Sequence, residues 1–182
     1  MIGLGLSLAE MAIARRPVLI DDLGMYDASA AGKYGIGYRS VTRLDAGGWN
    51  GNAYSTLVFQ GGASMVFQFT GGQAMAGLSD GREYTGGGSE YDKLDFGVYF
   101  NGASWTAYES GSPNALTGDF SLNSQWRIAY DNAFVRYFAR KPGEGEVLAR
   151  ISNETLGNRI FAAAVAINTS GVSVSNIALT AS

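Results

Sequence analysis

Neither histidine nor cysteine occurs anywhere in the 182 residues. The first absence removes the usual general base, the commonest metal ligand and any Ser-His-Asp triad. The second removes thiol nucleophiles, thiolate metal centres, iron–sulfur clusters and disulfides, so the core alone must hold the fold. Charged side chains make up only 16%, well under the usual quarter, and their balance is a formal net charge of −3. Phosphate backbones demand a basic face, so no nucleic-acid partner is expected. Proline is scarce too, with three residues beside 26 glycines. That glycine share is about twice the average and, without proline, reads as turns between many short strands rather than a disordered tract.

Hydrophobic residues make up 46%, enough for a substantial core, and the length suits one domain. Residues 1–17 stand apart from the rest. Leu4, Leu6, Leu8, Met11 and Ile13 form an apolar stretch that Glu10 interrupts. Arg15 and Arg16 follow it instead of preceding it, the reverse of a secretory signal. The stretch is also too short to span a membrane as a helix, so no membrane insertion is expected. Ser7 and Glu10 fit a capping box, which predicts a helix over 8–16 ended by Pro17. A helix of that length is marginal alone in water, so the segment is expected to dock on its own domain or on a neighbouring subunit. Those five apolar residues are the candidate attachment positions. The expected organisation is an attachment segment, helical or extended, over 1–17 and a sandwich over 18–182.

From Val18 onward short apolar runs alternate with glycine clusters. Residues 53–60 and 64–70 read as strands joined in a hairpin by Gly61-Gly62. Residues 79–91, with the triple glycine Gly86–Gly88, read as an exposed loop. Leu94, Phe96, Val98 and Phe100 lie on one face of a strand, and Asn101-Gly102 turns into its partner over 104–109. Residues 111–118 read as a loop. Trp126, Ile128 and Tyr130 alternate with polar neighbours and predict a core face, followed by strands over 133–140, 147–151, 160–167 and 172–179. Ten or more strands at spacings near ten residues, with no helical period after residue 17, predict an all-β sandwich or barrel, an antiparallel jelly-roll sandwich being the expected form.

Two kinds of residue are candidates for chemistry. Asp80, Glu83, Glu90, Asp92 and Asp95 gather around the glycine loop, with Glu109 and Asp119 farther on. Paired carboxylates run glycoside hydrolysis, and oxygen ligands hold calcium without histidine. The plainer reading is a solvated acidic loop, so no catalysis, metal or cofactor is expected. Aromatic rings offer flat faces for sugar stacking. Trp49 sits in the turn-like run Gly47–Asn52, Tyr84 and Tyr91 flank the triple glycine beside Arg82, and Trp105 shares a strand with Tyr108 on the opposite face. Trp49, Arg82, Tyr84, Tyr91, Asp92 and Trp105 are the candidate ligand-binding residues.

Several short runs occur together in order: Ala76-Gly77-Leu78-Ser79, then Leu94 to Phe100, Tyr108-Glu109-Ser110-Gly111, Trp126 to Tyr130, Phe134 to Tyr137 and Val174-Ser175-Asn176-Ile177. Over residues 65–180 this set resembles the concanavalin A-like lectin/glucanase sandwiches of bacteriophage tail fibres, spikes and related surface proteins. The resemblance implies a concanavalin A-like jelly roll and a virion structural protein, exposed on the particle surface, that binds a host-surface glycan or receptor. Its partners would be other virion proteins, reached through residues 1–17, and copies of itself as a homo-oligomer, a trimer being one form. It carries over neither the metal site, which includes a histidine, nor glucanase catalysis, whose Glu-x-Asp-x-x-Glu strand is missing here. Two alternatives remain open: a purely architectural virion subunit without ligand, and a free carbohydrate-binding or glycan-cleaving domain.

Overall fold

A computed structural model describes residues 18–181 except 21, 30–31, 82–89, 117, 132, 155–156 and 158. Fifteen strands occur among them: β1 (Val18–Ile20), β2 (Met25–Asp27), β3 (Tyr34–Gly37), β4 (Ser40–Arg43), β5 (Ala53–Gln60), β6 (Gly62–Phe69), β7 (Ala74–Ser79), β8 (Phe96–Phe100), β9 (Trp105–Glu109), β10 (Ser112–Ala115), β11 (Gln125–Asp131), β12 (Val135–Arg140), β13 (Val147–Ile151), β14 (Ile160–Ile167) and β15 (Ser173–Ala181). A single 3₁₀ turn, Glu90–Lys93, precedes β8. The predicted helix over 8–16 lies outside the described residues.

The strands form two antiparallel sheets. One has eight strands in the order β13-β12-β11-β6-β15-β4-β3, with β1 also paired to β15. The other has seven, in the order β10-β9-β8-β7-β14-β5-β2. Alternation fills the space between them. Met65, Phe67 and Phe69 of β6 and Trp126, Ile128 and Tyr130 of β11 point inward from the first sheet. Ala76 and Leu78 of β7, Phe96 and Val98 of β8 and Phe161 and Val165 of β14 meet them from the second. This is the expected all-β, jelly-roll sandwich, and the two separate sheets decide against the barrel that the strand count also allowed.

Local pairing differs from expectation in two places. Gly61 does not close a hairpin: β5 belongs to the seven-stranded sheet and β6 to the eight-stranded one, so the chain crosses between layers there. A glycine flanked by two β-rich runs looks the same in either case, because the inward faces of both strands are apolar. Residues 111–118 are not all loop, since β10 adds an edge strand to β9. Its hairpin turns at Ser110-Gly111, both at positive φ (50° and 76°), the pair of conformations a primed turn requires.

Candidate functional site: an aromatic pocket on the outer face of the seven-stranded sheet

An antiparallel sheet with one face on the core ordinarily turns a polar face to water. The seven-stranded sheet does not. On its outer face Met75 (β7), Ala164 and Ala166 (β14) are buried together with Leu94, and Trp49, Tyr54, Tyr91, Tyr99 and Tyr108 pack over them. Strand alternation dictates two of these positions. With Phe96, Val98 and Phe100 facing inward, Tyr99 must face out, and with Trp105 and Ala107 inward, so must Tyr108.

Trp49 and Tyr91 come from loops, and each is held by a specific device. The loop that carries Trp49 is held by Arg43, which lies fully buried at the end of β4. One of its terminal nitrogens donates to the Tyr34 hydroxyl and to the Ile167 carbonyl, each at 3.1 Å. The other donates to Asp45 at 3.0 Å and to Asn50 at 2.6 Å, so one buried guanidinium fixes both ends of the loop that carries Trp49. The Gly48 amide then donates to the Asn168 carbonyl at 2.8 Å. Tyr91 sits on the 3₁₀ turn, which Ser79 anchors by donating to the Lys93 carbonyl. Leu94 closes the turn by donating to the Tyr91 carbonyl at 3.1 Å, and its side chain fills the space below.

Trp49, Tyr91, Tyr99 and Tyr108, with Met75, surround a hollow of about 220 Å³. No Lys or Arg lines it among the described residues. Burial raises the phenols of Tyr99 and Tyr108 above their ordinary value; Tyr91 pushes both further, as Tyr99 and Asp92 do for Tyr108. Both therefore remain neutral hydroxyls through the physiological range. A second, wider hollow of about 600 Å³ continues along the same face, lined by Tyr26, Tyr54, Val58, Asp80, Lys93 and Ile160 among others. Tyr26 and Tyr54 are cross-strand partners with ring centroids 6.4 Å apart.

Of the residues singled out in the sequence, Trp49 and Tyr91 meet directly, with ring centroids 5.1 Å apart. Asp92 is buried beside them and acts on Tyr108 through its charge. Trp105 belongs elsewhere and is withdrawn from the site. It is 8% exposed, stacks on Phe100 at 4.1 Å and donates its indole N–H to the Phe120 carbonyl at 2.7 Å. Arg82 and Tyr84 lie outside the described residues, as do Leu4, Leu6, Leu8, Met11 and Ile13. Tyr54, Tyr99 and Tyr108 were not among the sequence candidates, although the alternation of β8 and β9 already places two of them opposite the core face.

The carboxylates are engaged in ion pairs more than gathered. Arg159 binds both Asp80 and Asp95, and Arg150 grips Glu109 through two bonds of 2.8 and 2.9 Å. Among the described residues no group of three acidic side chains is placed to hold a metal ion.

No family model matches the sequence, and no curated protein does. Solved structures match the fold. The chain is similar to the carbohydrate recognition domain of Emp46p in its potassium-bound form, at 14% identity and a TM-score of 0.58 over 87% of this chain and 88% of that one. It is similar to the exoplasmic/lumenal domain of VIP36 bound to Ca2+ and Man3GlcNAc, at 10% identity and 0.55 over 87% and 83%. It is also similar to the TRIM65 PSpry domain, at 12% identity and 0.56 over 81% and 86%. At such identities the likeness concerns architecture: the chain has the β-sandwich fold of lectin and SPRY domains.

Proposed function

We propose that this protein is a non-catalytic glycan-binding domain whose ligand lies across the outer face of the seven-stranded sheet. The observation that carries this reading is the partly exposed aromatic surface where a solvated polar face is the norm. From Tyr108 on β9 to Tyr26 on β2 the sheet advances five strands. At roughly 4.8 Å per strand that is about 24 Å, the reach of a short oligosaccharide rather than of one sugar. Tyr26 and Tyr54 offer ring faces for stacking, while Asp80, Lys93 and the hydroxyls of Thr56 and Ser79 line the same hollow with polar groups. Two of the similar folds, a carbohydrate recognition domain and a domain bound to a mannose-containing glycan, support the choice of ligand class.

A glycan array with the full chain tests this. Binding to a defined set of neutral oligosaccharides is expected, falling at least about tenfold in Tyr54→Ala, more than any accompanying loss of stability in melting curves accounts for. An array without binders, or binding that Tyr54→Ala and Tyr26→Ala leave intact, overturns the proposal. The virion surface expected from the sequence is the proposed setting on the strength of the resemblance alone. Loss of particle incorporation on deleting residues 1–17 is its test.

A further inference from the structure

The pocket at the β8–β9 end of this face differs in kind from the groove beside it. Its four rings contact one another in a closed circuit. Trp49 meets Tyr91 at 5.1 Å, Tyr91 meets Tyr108 at 6.0 Å, Tyr108 meets Tyr99 at 5.8 Å, and Tyr99 returns to Trp49 at 5.8 Å. Neighbouring planes cross at 61° to 83°, so the rings stand as walls and not as one platform. A sugar stacks on a flat open ring, which Tyr26 and Tyr54 provide and this circuit does not. The centre of a four-sided figure with these sides lies about 4 Å from each centroid, well within the roughly 6 Å over which an aromatic face attracts a cation. Met75 forms the floor with a soft, polarisable thioether.

Charge and size narrow the occupant. No cationic side chain lines the pocket among the described residues, and Asp92 stands close enough to act on Tyr108. Electron-rich ring faces with no cation among the described lining residues suit a positive ligand. A hollow of about 220 Å³ is smaller than the roughly 300–1,000 Å³ of sites that engulf drug-sized molecules, so it admits one compact group. A primary ammonium would lose strong hydration on entering and find no carbonyl cage in return. An alkylated ammonium, with methyl groups that pack on the rings and a charge spread over them, keeps the attraction at lower desolvation cost.

We infer that the Trp49–Tyr91–Tyr108–Tyr99 box is an aromatic cage for a compact quaternary ammonium group, such as a choline substituent carried on the bound glycan. This rests on the outer face being the ligand face, as proposed above. The probe is choline chloride, compared with its neutral isostere in which a quaternary carbon replaces the nitrogen. Binding to the full chain is followed by calorimetry and by the fluorescence of the tryptophans.

Choline is expected to bind at least about tenfold more tightly than the isostere. Trp49→Ala and Tyr108→Leu should each weaken choline about tenfold. Tyr108→Phe keeps the ring and should cost less than about threefold. Melting curves of each variant separate a lost cage from a lost fold, and Tyr99→Leu replaces any variant that melts early. Equal affinity for choline and isostere, no choline binding, or choline affinity untouched by Trp49→Ala and Tyr108→Leu overturns the cage. The two proposals fail separately. Neutral glycans bound through Tyr54 without any choline affinity would sink only the cage, whereas choline binding with no glycan on the array would sink the glycan reading.

Discussion

Gly47 holds its φ at 96°, and a Cβ built there would lie 2.2 Å from the Asn168 carbonyl oxygen. Two costs coincide at that position, a left-handed backbone and a collision with main chain that has no rotamer to escape into. Gly47→Ala should therefore destabilise the fold by about 1–3 kcal/mol and displace the loop bearing Trp49. Urea unfolding reads the first effect, and loss of ligand binding exceeding the loss of stability reads the second. Tyr130 makes the opposite case. Its hydroxyl is buried without a hydrogen-bond partner among the described residues, and burial alone pushes the phenol up to about 12. Tyr130→Phe removes an unpaid desolvation while keeping the ring against Phe161, so stability should stay level or rise by up to about 1 kcal/mol. A loss of that size in urea unfolding would show that the hydroxyl is in fact satisfied. At this scale the sequence was half legible. Trp49 and Tyr91 could be picked out because glycine-rich surroundings leave aromatics exposed. Trp105 misled because its strand is amphipathic in both senses, with rings on either face, and only the second sheet decides which one is core. Arg43 carried no warning at all: a guanidinium inside the core is visible only once Tyr34, Asn50 and the Ile167 carbonyl converge on it.

Between β11 and β12 a carboxylate does the work of a turn. Asp131 accepts from the amides of Ala133 and Phe134 at 2.8 and 2.9 Å and pairs with Arg136 at 2.5 Å. The Arg136 pair, followed by those two amides, lowers its pKa to about 2 from an ordinary 3.8. A depressed carboxylate stabilises the fold above its unfolded value and loses that contribution as the pH falls through its folded one. The window is therefore about pH 4 to pH 2. Because the pair is largely solvated, the effect should be modest, a fall in melting temperature of about 1–3 °C across the window. In Asp131→Asn that part of the fall should disappear; an identical acid profile in the two proteins would assign the loss to other carboxylates. Elements of this kind were legible in outline. The β8–β9 hairpin was anticipated from Asn101-Gly102, and the turn forms with the Asn101 side chain accepting from the amides of Ala103 and Ser104. The link at Gly61 was read as a hairpin and is a crossing, because a jelly roll sends consecutive strands to different layers while leaving their local pattern unchanged.

At the scale of the molecule the two described ends of the chain meet. β1 pairs with the last turn of the ladder on β15, Val18 opposite Ala181 and Ile20 opposite Leu179, beyond the stretch of β15 that β4 covers. Leu19 is exposed, whereas Ile20 packs partly against the core. Three backbone residues thus shield the open edge of β15 and bring one apolar side chain with them. That geometry separates two deletions. Removing residues 1–17 leaves β1 and its register intact. If the segment docks on a neighbouring subunit, the melting temperature of the isolated domain should move by no more than about 2 °C. Removing residues 1–20 strips the edge of β15 and the packing of Ile20, a loss of about 1–2 kcal/mol, or roughly 2–8 °C for a domain of this size. Scanning calorimetry of the two truncations against the full chain distinguishes the cases. A loss already present on removing residues 1–17, and larger on removing 1–20, would mean that residues 1–17 dock on their own sandwich, the other outcome the apolar run Leu4 to Ile13 allowed. No loss in either would mean that the β1 ladder contributes nothing and that β15 is held by β6 and β4 alone.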